Sequence, residues 1–480
     1  VVVSDWGGTH DTFEAANNGL DVEMGSFTNG LTSESAHPFD NYYLANPYLK
    51  LLREGKVSEE VLNDKAGRIL KLIFRTAMNS GKGFGCVADS AHYSVARTIG
   101  NEGIVLLKNT PVKKGKLPLL PIDPDRYGKI LVVGDNAVRN LSDGGGSSEL
   151  KVKDMITPLR GLQELYGDKI VYAQGYAAGK ASYNDVEEVP QSLLDSLRND
   201  AVLKARNADL VIVIGGLNKN RFQDCEDGDR QSYSLPFGQV ELIDELLEVN
   251  PHVVLALISG NAVELPWIDR IPAVLQTWYL GSMGGYALAD VLSGKINPSG
   301  KLPFSFPVRL EDCAAHAFDS LCFPGDGNQV VYKEDIFVGY RWHDTKGVKA
   351  LFPFGHGLSY TTFKYGKPLL SAPQLDRNEN LTVTVPVTNT GKVKGKEVVQ
   401  LYIGDETSSL PRPVKELKGF RKIELNAGET QNVEFTITPE DLCFYDPELS
   451  QWRSEPGKFK IYIGTSSGDI RRVVPFTLSK

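Results

Sequence analysis

The chain has 480 residues, enough for two to four domains. Its 41% hydrophobic and 23% charged residues are an ordinary globular mixture, and no apolar run reaches the roughly 18 residues of a membrane span. The 52 lysines and arginines against 60 acidic residues leave a formal charge of −8, which argues against nucleic acid or an anionic membrane surface as the main partner. The five cysteines, Cys86, Cys225, Cys313, Cys322 and Cys443, are scattered. They make neither a disulfide framework nor a CxxC metal pattern, and Cys313 with Cys322 is the pairing that stays open.

At the front, Val1-Val2-Val3 is an unbroken β-branched run and predicts a strand buried on both faces. It stops at Ser4-Asp5-Trp6-Gly7-Gly8. A carboxylate at the tip of a parallel strand lies where α/β folds gather their chemistry, and capping of the next helix is the other role open to Asp5. Ser4-Asp5-Trp6-Gly7, followed by Glu14 to Met24, resembles the nucleophile region of the family 3 glycoside hydrolases, the β-glucosidase family. Those are retaining enzymes. The resemblance implies that Asp5 is the nucleophile, that Trp6 is a wall of the sugar subsite, and that residues 1–80 are the C-terminal part of a (β/α)8 barrel. A barrel cannot close with its last strands alone, so an upstream half is expected in the full-length protein.

Leu20-Asp21-Val22-Glu23-Met24 reads as the last barrel strand, with Asp21 and Glu23 either under the active site or facing solvent. Ser58-Glu59-Glu60 opens a helix through a cap and dipole-matched carboxylates. Val61, Leu62, Ile69, Leu70, Ile73 and Phe74 would give that helix one buried face. Residues 81–91, beginning Gly81-Lys82-Gly83-Phe84-Gly85, form a linker.

Residues 92–310 alternate strands and helices. Lys129–Gly134, Ile170–Tyr172, Leu210–Gly215, Val253–Ile258 and Ala273–Gln276 are short apolar runs separated by helical stretches such as Gln239–Val249. They predict an α/β sandwich around a mostly parallel sheet covered on both faces. Asp143-Gly144-Gly145-Gly146-Ser147-Ser148 follows the first of these strands, but it is neither GxGxxG nor a P-loop. The resemblance implies instead that this loop, with Ser147 and Ser148, approaches the sugar. Leu117–Pro121 and Asn297–Pro307 are similar to the family's entry to and exit from this domain.

Residues 311–364 are an irregular interdomain segment rich in aromatics and glycines, in which His356 reads as structural. From 365 to 480 the pattern turns all-β. Leu381–Val387, Val398–Gly404, Asn432–Ile437 and Phe459–Gly464 alternate with period two, which predicts a β-sandwich. Arg412–Phe420 makes it similar to the fibronectin-III-like domain of many family members, with stability or homodimer contacts as its expected role.

A retaining glycosidase needs a second carboxyl group about 5–5.5 Å from the first. The stretch Asn218–Arg230 follows the strand ending at Gly215 and carries Asp224, Glu226, Asp227 and Asp229. Crowding of four acids is expected to raise a carboxyl pKa toward that of a general acid. A solvated acidic loop or a calcium site is the alternative, though the bidentate glutamate of an EF-hand is missing. The resemblance of Glu226 to Arg230 and Ser234 to Gln239 to the family's acid/base stretch implies Glu226 as acid/base, with Asp224 the second choice. Asp229 and Arg230 are expected to pair and fix the loop.

These readings converge on an exo-acting retaining β-glycosidase, first a β-glucosidase, that needs no metal or cofactor. Its partners would be oligosaccharides or aryl and alkyl β-glycosides. The other class left open is a non-catalytic carbohydrate-binding or assembly fragment. A periplasmic or secreted location is an expectation from the family alone.

Overall fold

The computed structural model describes residues 1–25, 38–79, 81, 83, 85–180, 187–226, 228–376 and 379–479. Two compact units divide the chain between Val87 and Ala88. Lys82 and Phe84 of the linker lie outside the described residues.

In the first unit Val3 and Val22 form a parallel bridge, and helix α1 (Thr12–Asn17) lies between them in sequence. Asp11 caps α1 by accepting the Glu14 N–H at 2.8 Å, so Asp5 is not its cap. Helices α2 (Asn46–Arg53) and α3 (Glu59–Arg75) follow, and Ser58 caps α3 on the Val61 N–H. Two burial expectations fail here. Val1, Val2 and Val3 are about half exposed, and Leu62, Leu70, Ile73 and Phe74 face solvent. Among the described residues the unit's buried cluster is Ala16, Tyr48 and Val57 with partly buried neighbours, Val61 among them. Lys65 is the buried side chain of α3, and its ammonium donates to the Leu20 carbonyl at 2.6 Å.

Asp21 and Glu23 do not face solvent. Asp21 accepts the Val2 N–H and pairs with Arg68, which holds its carboxyl below the usual range. Glu23 accepts the N–H groups of Tyr43 and Leu44 at 3.2 and 2.7 Å. Both carboxylates hold backbone in place.

The second unit opens with α4 (Ser90–Gly103), and its sheet has the expected five parallel strands plus one. These are β1 (Val105–Asn109), β2 (Ile130–Val133), β3 (Ile170–Ala173), β4 (Leu210–Gly216), β5 (Val253–Ile258) and β6 (Ala273–Gln276). The order is β1-β6-β5-β4-β2-β3, with β1 an antiparallel edge strand. Helices α5 (Pro158–Tyr166) and α8 (Gly284–Leu292) bury Leu162, Ala287 and Val291 against Ile130, Ile212 and Val254. On the opposite face α6 (Gln191–Ala205) and α7 (Gln239–Val249) bury Ala201, Leu242 and Leu246 against Leu131, Val211 and Leu255. Each large aliphatic side chain so covered contributes roughly 1.5–3 kcal/mol.

This order sets the site. From β2 the chain crosses to β3 on one side, while β4 flanks β2 on the other side and leads on to β5. Loops leaving β2 and β4 therefore part at a topological switch point, where a crevice opens beyond the strand ends. Gly134 makes the exit possible: its φ is +137°, and a Cβ there would lie 2.1 Å from the Ile214 carbonyl oxygen.

The β-sandwich follows. Leu381–Asn389 pairs with Thr430–Ile437 in one sheet, while Gly395–Asp405 lies between Glu416–Leu425 and Gly457–Ser466 in the other. Val383, Val385, Val387, Leu401, Phe435 and Ile461 meet between the sheets. Asp469–Leu478 is a further strand that the sequence reading did not pick out. Glu102 at the end of α4 receives Lys396 and Lys422 from the sandwich. His356 is structural: its Nε2 lies 2.9 Å from the Leu107 carbonyl and its ring stacks on Phe352. Cys313 and Cys322 do not pair.

Candidate active site

The loop after β4 runs through a buried polar turn before it reaches its acids. Asn218, Lys219 and Asn220 are all buried. The Asn218 carbonyl accepts the Asp224 N–H at 2.9 Å, and the Asn220 side chain donates to the Ala178 carbonyl at 2.9 Å. The loop after β2 then docks alongside. The Gly145 N–H donates to the Asp224 carbonyl at 2.9 Å, and Gly145 bridges Cys225 in parallel. A Cβ on Gly145 would lie 2.3 Å from the Lys219 carbonyl oxygen and 2.8 Å from the Cys225 sulfur, so glycine is required for this approach. The Lys219 ammonium bridges Asp143 at 3.2 Å and Glu149 at 2.8 Å and ties the two loops together from below.

Glu226 is exposed, and its Oε2 accepts the Ser147 N–H at 2.6 Å. That bond aims a solvent-facing carboxyl group into a cleft of about 900 Å³, lined also by Gly144, Ser148, Arg230 and Tyr233. Ser147 meets Glu226 through its backbone, and the Ser148 hydroxyl donates to the Gly145 carbonyl.

Asp224 lines the same cleft but is held by three donors. One carboxylate oxygen accepts the Gly260 N–H at 2.7 Å and the Tyr279 hydroxyl at 2.9 Å, and the other accepts the Asn261 amide at 3.0 Å. Its pKa is raised, and burial is the cause, opposed by the Gly260 and Tyr279 hydrogen bonds. Desolvation of one residue thus replaces the crowding of four acids as the source of a shift. Asp227 lies outside the described residues, and Asp229 is exposed.

The expected Asp229–Arg230 pair is not formed. The Arg230 guanidinium donates to the Ala262 carbonyl at 2.7 Å, the Ser232 and Tyr233 carbonyls and the Asn261 side chain. Arg230 still fixes the loop, through the Ser232, Tyr233 and Ala262 carbonyls and the Asn261 side chain.

In the first unit Asp5 is exposed and accepts the Trp6 N–H at 2.7 Å. The Ser4 hydroxyl accepts the Met24 N–H, and the Gly7 N–H donates to Gly25 at 2.8 Å. Trp6 is 69% exposed, and its ring passes so close to Gly25 that a Cβ there would lie 2.9 Å from it. Tyr279, Lys219 and Asn261 are site residues that the sequence reading missed. A lysine just past a fully apolar strand was the one local signal among them.

A doubly covered α/β sheet with a carboxylate loop at its switch point, followed by a fibronectin-type sandwich, is the architecture that the comparisons with known proteins address. Residues 104–360 match the glycosyl hydrolase family 3 C-terminal domain, and 397–467 match the fibronectin type III-like domain. The chain is 60% identical over 475 residues to beta-glucosidase BoGH3A of Bacteroides ovatus and 39% identical over 478 residues to thermostable beta-glucosidase B of Acetivibrio thermocellus. It spans 99% and 98% of its own length in these comparisons, and 64% and 57% of theirs. The solved GH3 beta-glucosidase of Bifidobacterium adolescentis superposes on the whole chain and 64% of its own with a TM-score of 0.85, at 32% identity. The chain belongs to glycoside hydrolase family 3.

Proposed function

We propose that this chain carries the acid/base, and the nucleophile Asp5, of an exo-acting retaining β-glucosidase. The observation that carries the reading is the exposed Glu226 carboxyl group, fixed on the cleft by the Ser147 N–H. In the first step Asp5 attacks the anomeric carbon while Glu226 gives its proton to the departing glycosidic oxygen. In the second, Glu226 removes a proton from water, which displaces Asp5 and returns the sugar with its configuration retained. Trp6 would cover a face of the sugar, and Ser147 and Ser148 would contact its hydroxyls. What favours Glu226 over Asp224 is access: Asp224 has three donors and is partly buried, whereas Glu226 meets solvent.

The test uses the full-length gene product. Glu226→Gln is expected to lower kcat/KM on a glucoside with a poor leaving group by about 10²–10⁴-fold. It should leave β-glucosyl fluoride nearly unaffected, because fluoride departs without a proton. Asp224→Asn should cost less than Glu226→Gln on the poor leaving group, and Asp5→Asn should abolish both activities. A 2-deoxy-2-fluoroglucosyl adduct found by mass spectrometry should map to Asp5. Full activity of Glu226→Gln on the poor leaving group would remove Glu226 from the mechanism.

A further inference from the structure

A second cavity, of about 710 Å³, lies within the second unit and shares no lining residue with the cleft that holds Glu226. Three segments meet there: the stretch after β1, the chain that follows the sheet, and the β-sandwich. Its size falls in the roughly 300–1,000 Å³ range of small-molecule sites. The lining carries three carboxylates, Asp123, Glu397 and Asp469, and three cations, Arg126, Lys301 and Arg471, so its formal charges cancel. Two ion pairs are closed within the protein. Glu397, whose side chain is 7% exposed, lies 3.1 Å from the Lys301 ammonium, which also donates to the Gly357 carbonyl at 2.7 Å. The Arg471 guanidinium and the Thr465 hydroxyl both donate to Asp469 Oδ2, at 2.6 and 2.8 Å.

What stays open is hydrogen-bonding capacity rather than charge. Among the described residues Asp469 Oδ1 takes no donor, and the Arg126 guanidinium, set over the Tyr127 ring at 5.5 Å, finds no acceptor. An anion or a cation would meet like charge on this lining, and a zwitterion would find the nearest ions already paired. A neutral hydroxyl group both gives and accepts hydrogen bonds, so a row of them answers arginine N–H groups and carboxylate oxygens together. Leu358 and Phe363 add carbon surface for the C–H edges of such a molecule. We propose that this cavity is a second saccharide site, which binds a neutral sugar through Arg126, Asp469 and Arg471. A sugar seated there bridges the sandwich and the stretch that follows β1.

The experiment is equilibrium dialysis of labelled glucose against the full-length protein, carried to saturation. The wild-type chain should bind two equivalents, and the double variant Arg126→Ala/Arg471→Ala should bind one, with kcat/KM on phenyl β-glucoside unchanged. Both arginines are exposed, so the fold should survive their loss, which equal melting temperatures without sugar would show. Arg471→Lys keeps the charge on Asp469 but not the fork, and it should weaken the second equivalent by about 10-fold while leaving the first as it was. That single variant decides the matter if the double one melts lower. One equivalent or none on the wild-type protein, two on the double variant, or glucuronate held in the cavity as tightly as glucose would each overturn the site. A kcat/KM that falls together with the second equivalent would also overturn it, by placing the lost sugar in the cleft of Glu226.

Discussion

Two β-branched runs in this chain have opposite fates. Ile130–Val133 lies with every side chain fully covered, while Val1–Val3 is about half exposed. Their sequences are nearly interchangeable. What differs is their company: β2 has β3 and β4 on its flanks and helices on both faces, whereas among the described residues Val3 bridges Val22 and lies outside the unit's cluster of three buried side chains. A run of branched residues specifies a strand, and its neighbours specify its burial.

The comparison is sharpened first in the sheet. Ile212→Ala in β4, at a fully buried position, should cost about 2–5 kcal/mol in denaturant unfolding. Gly145→Ala comes next. Its added carbon must push the Lys219 carbonyl away, at a cost of about 1–3 kcal/mol. It should also lower kcat/KM on poor leaving groups more than on β-glucosyl fluoride, because the Ser147 N–H moves from Glu226.

A smaller effect is expected from His356, whose pKa burial holds below the ordinary 6.5. The folded protein keeps it neutral where the unfolded chain takes up a proton. Stability should therefore fall as pH drops below about 6.5, since the unfolded state then binds more protons. His356→Gln should flatten that part of the stability–pH curve in thermal melts. Smallest of all, Val2→Ala should change unfolding by no more than about 0.5 kcal/mol, as at other exposed positions. A cost near that of Ile212→Ala would break the comparison and show the front strand covered in solution.

The sheet was legible because parallel strands buried on both faces leave continuous apolar runs, and β2 through β6 each carry one. The acid loop was legible because its carboxylates cluster just after such a run. Partners drawn from distant segments were not. Arg230 follows Asp229 in sequence yet finds its acceptors at Asn261 and Ala262, and Asp224 is held by Gly260 and Tyr279. Nor could the helical spacing along α3 reveal that its apolar stripe is exposed among the described residues, since periodicity marks a face and says nothing of what lies opposite. The strand Glu416–Leu425 overlaps the Arg412–Phe420 stretch that resembles the family, but its outer-face charges hide the alternation.

The bond between Ser147 and Glu226 joins residues 79 positions apart. It stands on the pairing of β2 with β4, which brings Ile130 against Leu210. Contacts of such separation form late, after the intervening loop has been closed. During synthesis the Glu226 carboxyl group can therefore be aimed only once β4 has emerged and paired with β2, while β5 and β6 are still to come.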